Sequence, residues 1–197
     1  MDVAIVDTGG ANIASVQNAL KRLGRSGTVV RERKALLQAG HIILPGVGAA
    51  GEAMQRLHDT GLDQALLECD RPVLGICLGL QLLCGRSEEN ELDCLGVVPG
   101  VVRRLQAAPG RPVPHMGWNT VQASGDSRLL AGLEPETYFY FVHSYAVPLL
   151  EHTTGSSEYG TTFTSVLERD NFFATQFHPE RSSAQGAQVL ANFLAVN

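Results

Sequence analysis

The sequence predicts an α/β fold with a mixed, mostly parallel central sheet and flanking helices. Three observations predict it. In the first half, short apolar runs alternate with segments of helical period, the pattern of parallel strands joined by crossover helices. Several of those runs are apolar throughout rather than at every second residue, as strands covered on both faces must be. In the second half, strand-like segments follow one another with connections too short for crossover helices, so part of the sheet must be antiparallel.

The elements follow in order. Asp2 to Asp7 is a short strand-like run, and Asn12 to Leu23 has helical spacing with Ile13, Val16, Leu20 and Leu23 on one stripe. Thr28 to Glu32 is a strand, and His41 to Gly46 is a buried strand ended by Pro45 and Gly46. Ala49 to Glu68 reads as one or two helices with a break at Gly61. Arg71 to Ile76 is another buried strand, and Leu78 to Gly85 begins a helix directly after it. Val97 to Leu105, His115 to Gln122, Thr137 to Val147, Ser157 to Leu167 and Asn171 to Phe177 are strand-like, with a short helical piece at Ser127 to Leu133. A last amphipathic helix spans Ser182 to Val196, with Val189, Leu190, Phe193 and Leu194 inward.

A chain of 197 residues suits one domain over 1–197. That length can bury a core without disulfides or metals. The formal charge of -5 gives no basic face for nucleic acid. No apolar stretch approaches the roughly 20 residues of a membrane helix, and MDVAIVDTGG has no basic leader. The reading is a cytoplasmic protein with no membrane contact. Cys69, Cys77, Cys84 and Cys94 form no C-x-x-C pair and have no histidine at zinc-site spacing. Neither a metal nor a cofactor is expected, and Cys69, Cys84 and Cys94 read as reduced thiols.

Cys77 has different surroundings. A buried strand runs straight into a helix with Gly75-Ile76-Cys77-Leu78-Gly79 at the junction, the nucleophile-elbow pattern with cysteine in place of serine. The turn is tight, so its neighbours must lack side chains, which Gly75 and Gly79 satisfy. The unpaired N–H groups at the start of the following helix favour a thiolate and an oxyanion. Near the other end of the chain, Gln176-Phe177-His178-Pro179-Glu180 closes a strand. A thiol needs a base, usually histidine, and the histidine needs a carboxylate to fix its tautomer. His178 and Glu180 are close enough to serve. Leu44-Pro45-Gly46-Val47-Gly48 ends a parallel strand, at the edge where ligands of open α/β sheets collect. The N–H of Val47 or Gly48, with that of Leu78, could form an oxyanion hole.

Together PGVG, GICLGLQ and FHPE resemble the class I (triad) glutamine amidotransferases. The resemblance implies a mixed, mostly parallel, flavodoxin-like sheet, with Cys77 as nucleophile, His178 as base and acid, and Glu180 as orienting carboxylate. It implies L-glutamine as substrate, with Gly48, Gln81, Glu89, Ser144 and Tyr145 at contact positions and Glu89 on the ammonium. A closer resemblance covers essentially the whole chain. DTGGANIASVQNAL, PHMGWN, YFYFVHSYA and FHPERSS are similar to the glutaminase subunits of imidazole glycerol phosphate synthase. This implies ammonia transfer to a (β/α)8-barrel cyclase on a separate polypeptide, bound as a heterodimer, and a glutaminase nearly idle until that partner holds its ligand. Asn12, Trp118, Asn119, Tyr140 and Arg181 are the expected partner surface. The alternatives are the glutaminase of another ammonia-transferring synthase, or a cysteine hydrolase on the same fold.

Overall fold

The computed structural model describes residues 1–10 and 12–196. Ala11 and Asn197 lie outside them. The first half alternates as its periodicity requires: β1 (Val3–Val6), α1 (Ile13–Arg22), β2 (Gly27–Val30), α2 (Arg33–Leu37), β3 (His41–Gly46), α3 (Ala50–Thr60), α4 (Leu62–Glu68), β4 (Val73–Cys77) and α5 (Leu78–Leu82). Gly61 separates α3 from α4 in a left-handed conformation, φ 65°, where glycine is favoured. The second half is strand-rich: β5 (Cys84–Ser87), β6 (Leu92–Asp93), β7 (Val98–Arg104), β8 (His115–Ala123), β9 (Glu136–His143), β10 (Tyr145–Ala146), β11 (Thr153–Glu158), β12 (Thr162–Arg169), β13 (Phe172–Thr175) and the closing helix α6 (Ser183–Leu194).

The main sheet has nine strands in the order β2-β1-β3-β4-β13-β12-β11-β8-β9. Its ladders are parallel from β2 to β13 and antiparallel from β13 to β9. A second sheet runs β10-β7-β5-β6. Apolar clusters fill both faces of the main sheet. One joins Leu44, Leu57, Leu66 and Leu80 under α3, α4 and α5. The other joins Leu20, Phe139, Phe177 and Phe193 under α1 and α6.

Several elements differ from the sequence expectation. Ser127 to Leu133 forms turns, not a helix. The Glu168 carboxylate accepts the N–H groups of Arg128 and Leu129 at 3.1 and 3.0 Å, and Asn192 donates to the carbonyls of Leu129 and Ala131. Tertiary partners thus hold the backbone groups that a helix would pair internally. The strand expected over Ser157 to Leu167 is split into β11 and β12 by a turn with Gly160 at φ 76°. The strand expected over Thr137 to Val147 breaks at Ser144. The helix after Cys77 is only one turn and a half, because the chain re-enters a strand at Cys84. The short helix α2 carried too little apolar period to be seen.

The β4–α5 junction is tightly packed. Cys77 ends β4 opposite Gly46 of β3. A Cβ on Gly79 would overlap the Leu44 carbonyl oxygen, and one on Gly75 would stand 2.8 Å from the Gly79 backbone. Neither obstacle is a mobile side chain, so the helix lies on the sheet only if both positions are bare. Gly79→Ala should therefore lose about 2–4 kcal/mol of stability, read as a lower urea midpoint at unchanged slope. A midpoint equal to wild type would contradict this packing.

Candidate active site

The backbone of Cys77 has φ 54° and ψ -102°, a strained setting for a residue with a Cβ. It lifts the sulfur out of the strand and aims it across the sheet edge. The sulfur is 3.6 Å from the Gln176 side-chain amide, which donates to it, and 3.7 Å from the Val142 carbonyl, which accepts from the thiol.

His178 arrives from the next strand. β13 lies beside β4 in parallel register, with Thr175 opposite Ile76, and the chain leaves β13 towards the same edge as Cys77. Pro179 opens a short 3-10 turn, Pro179–Arg181, which brings Glu180 back to the imidazole. His178 Nδ1 lies 2.7 Å from Glu180 Oε1, and both side chains are almost wholly buried. Burial alone would lower the imidazole's proton affinity. The neighbouring Cys77 sulfur and the Glu180 carboxylate outweigh it and raise the His178 pKa to about 10. Nε2 has no hydrogen-bond partner among the described residues. The arrangement sets a sulfur beside an imidazole that can take a proton and give it to a leaving group.

The Asn12 side chain donates to the same oxygen, Glu180 Oε1, and lies 3.4 Å from His178 Nδ1. A residue expected at the partner surface thus touches the carboxylate that holds the imidazole.

A pocket of about 360 Å³ opens over the sulfur, lined by Gly46, Val47, Gly48, Leu78, Gln81, Glu89 and the segment Val142 to Tyr145. Every residue expected to form the oxyanion hole or to contact substrate borders it. Among the described residues, the N–H groups of Val47 and Gly48 donate no hydrogen bond within the protein. Glu89 Oε2 accepts the Ala50 N–H at 2.9 Å, which leaves Oε1 for a cation. Gln81 borders the pocket but is partly committed inward. Its amide nitrogen donates inward to the Tyr145 carbonyl at 2.9 Å and to Gln176 Oε1 at 3.3 Å, so only its oxygen is left for a ligand.

Trp118, Tyr140 and Arg181 adjoin one another. The Trp118 and Tyr140 rings meet edge-on at 6.2 Å, and the Arg181 guanidinium lies 5.0 Å from the Tyr140 ring. Met116, Trp118 and Tyr138 are exposed on the same outer pair of strands. Asn119 is turned sideways, donating to the Glu158 carbonyl at 2.9 Å.

Sequence reasoning missed Gln176 and His143. Gln176 lies two residues before His178 and so projects to the same side of an extended chain, a signal that was available. His143 borders the pocket but is also bonded to His115, at 2.9 Å, a pairing across strands that only the register reveals. Among the described residues no cluster of His, Cys, Asp and Glu could hold a metal ion, and no helix is long and apolar enough to cross a membrane.

A thiol on a strained elbow, a carboxylate-held imidazole on the adjacent strand and unpaired N–H groups across the pocket define an amide-hydrolysing cysteine site. The model of the class-I glutamine amidotransferases matches residues 4–196, and the chain belongs to that family. Within it, the chain is similar to the imidazole glycerol phosphate synthase subunit HisH of Xanthomonas campestris pv. campestris (strain 8004), 49% identical over 100% of this chain and 98% of the relative. It is also similar to the HisH subunit of Pectobacterium atrosepticum, 49% identical over 98% of this chain and 99% of the relative. A solved glutamine amidotransferase shares the fold with a TM-score of 0.76 at 21% identity, over 98% of this chain and 97% of its own.

The buried histidines set a pH dependence for stability. Burial pushes His115 down to about 4 and His143 down to about 3, whereas His178 is raised to about 10. The first pair resists protonation when folded, so its contribution is complete above the ordinary histidine value and is lost as pH falls from about 6.5 towards 4 and 3. The His178 contribution is complete below about 6.5 and is lost as pH rises through about 10. Urea midpoints measured from pH 4 to 10 should peak near 6.5, and a midpoint still rising from 6.5 down to 4 would contradict the neutral pair.

Proposed function

We propose that this chain is the glutaminase subunit of an imidazole glycerol phosphate synthase. It hydrolyses L-glutamine to glutamate and ammonia, and passes the ammonia to a (β/α)8-barrel cyclase that makes imidazole glycerol phosphate and AICAR. What carries the reading is the conjunction of a cysteine triad, a pocket with a carboxylate at its far wall, and close similarity to HisH subunits along the whole chain. The four free cysteines accord with a reducing cytoplasm. Residues 1–197 act as one amidotransferase domain.

Glutamine enters with its ammonium on the uncommitted oxygen of Glu89 and its carboxylate against the Ser144–Tyr145 turn. The Cys77 thiolate attacks the carboxamide carbon. The N–H groups of Leu78 and of Val47 or Gly48 hold the oxyanion, each such donor being worth about 100- to 1000-fold in rate. The His178 imidazolium, held by Glu180, protonates the departing ammonia and leaves a glutamyl thioester. His178 then takes a proton from water, which attacks the thioester and releases glutamate. Ammonia leaves past the Trp118, Tyr140 and Arg181 face into the cyclase, which docks there as the other half of a heterodimer. Asn12 and Asn119 border that contact.

Cys77→Ala tests the assignment. In complex with the cyclase it should lose glutamine-dependent synthesis while free ammonia still supports it. Glutamate release that survives in this variant would sink the reading. At the docking face, Trp118→Ala should weaken the heterodimer by about 2 kcal/mol, roughly 30-fold in Kd. An unchanged Kd by calorimetry would move the contact elsewhere.

A further inference from the structure

Two buried histidines, which the reaction above does not use, lie back to back beneath the pocket. His115 stands on β8 and His143 on β9, directly opposite in register. Both are almost fully enclosed, and His115 stacks between Tyr159 and Phe141.

Their hydrogen bonds form a connected set in which every donor is fixed. The Tyr145 carbonyl can only accept, so His143 Nδ1, 2.8 Å away, carries the proton. His143 Nε2 is then an acceptor, and His115 Nδ1 donates to it at 2.9 Å. His115 Nε2 is in turn an acceptor, and the Asn119 amide nitrogen lies 3.4 Å from it. That amide cannot be reversed, because its oxygen accepts the Thr120 N–H at 2.8 Å and its nitrogen donates to the Glu158 carbonyl.

A second arm starts at the same Tyr145 carbonyl. Gln81 donates to it and also to Gln176 Oε1, which orients the Gln176 nitrogen towards the Cys77 sulfur. An unbroken set of bonds thus joins Asn119, next to the exposed Trp118, to the nucleophile. It passes through the turn that forms the pocket wall.

We propose that His115, His143 and Gln176 are positioning residues, whose fixed tautomers and amide orientation hold the Ser144–Tyr145 turn and the Cys77 sulfur in place from the β8 strand that bears Trp118. The inference rests on the glutaminase reading and deepens it. With either histidine in its other tautomer, an acceptor would face an acceptor inside a buried site. The turn would move and Gln81 would lose its anchor. Displacement of reacting groups by an ångström is costly even when its origin is remote.

The test uses the complex with the cyclase. His115→Phe fits among the surrounding rings but removes both hydrogen bonds. His115→Asn returns an amide donor near the place of Nδ1. Glutamine-dependent kcat should fall about 10- to 100-fold in His115→Phe, with the melting point within about 5 °C of wild type. The Asn variant should recover much of the loss, and ammonia-dependent synthesis should not change in either. If wild type releases glutamate and His115→Phe keeps kcat within about twofold, the inference is wrong. It is equally wrong if the Phe and Asn variants are impaired alike, since ring packing alone would explain that result. If wild type releases no glutamate, the glutaminase reading fails first and this inference falls with it.

Discussion

The site depends on the backbone of one residue. Cys77 is held at a positive φ, a setting that costs of order 1–3 kcal/mol for a side-chain-bearing residue and persists only where the surroundings over-determine it. Here three glycines do so. Gly46 lets β3 approach α5, Gly75 lets the helix fold back over β4, and Gly79 lies against the Leu44 carbonyl. With those contacts made, the chain has no other path from strand to helix. The sulfur must then stand at the C-terminal edge of the sheet, next to the first unpaired N–H groups of α5.

The rest of the site follows from which strand lies beside β4. β13 is the pivot of the sheet, parallel to β4 and antiparallel to β12. Its parallel side aligns its exit with that of β4, so Cys77 and His178 emerge from neighbouring strands without long loops. Its antiparallel side allows the remaining strands to return by short turns and to bring β8 and β9 round as the far wall. A purely parallel sheet could not supply that wall, because each added strand would need another crossover helix.

Much of this was legible in the sequence, and the reasons differ by region. Strong period and punctuation identified β1, β3, β4, α1 and α6, and the Gly-x-Cys-x-Gly junction gave away the elbow because its geometry leaves few residue choices. The contact of His178 with Glu180 was legible because both residues belong to one local turn. What was hidden depends on register or on remote partners. Ser127 to Leu133 has a helical pattern, yet Glu168 and Asn192, both distant in the chain, hold its backbone groups. The inward commitment of Gln81 could not be inferred from its spacing after Cys77, since helical period gives a face and not a partner. Asn12 was assigned to a surface on resemblance, and only the fold shows its amide on Glu180.

The position of Asn12 bears on how a partner could be sensed at all. Glu180 and His178 are nearly inaccessible, so a docking protein cannot touch the imidazole directly. It can press on what surrounds it. Asn12 reaches Glu180 from the β1–α1 side, and Arg181 follows Glu180 immediately and lies over Tyr140. Tyr140 is tied back into the same turn, since its N–H donates to Ser182 and its carbonyl accepts the His178 N–H. Trp118 completes the patch against Tyr140. A surface that moves Tyr140 therefore moves a backbone hydrogen bond of His178, within one contact of the solvent. Burial protects the ion pair from water, and this short path keeps it within reach of a partner.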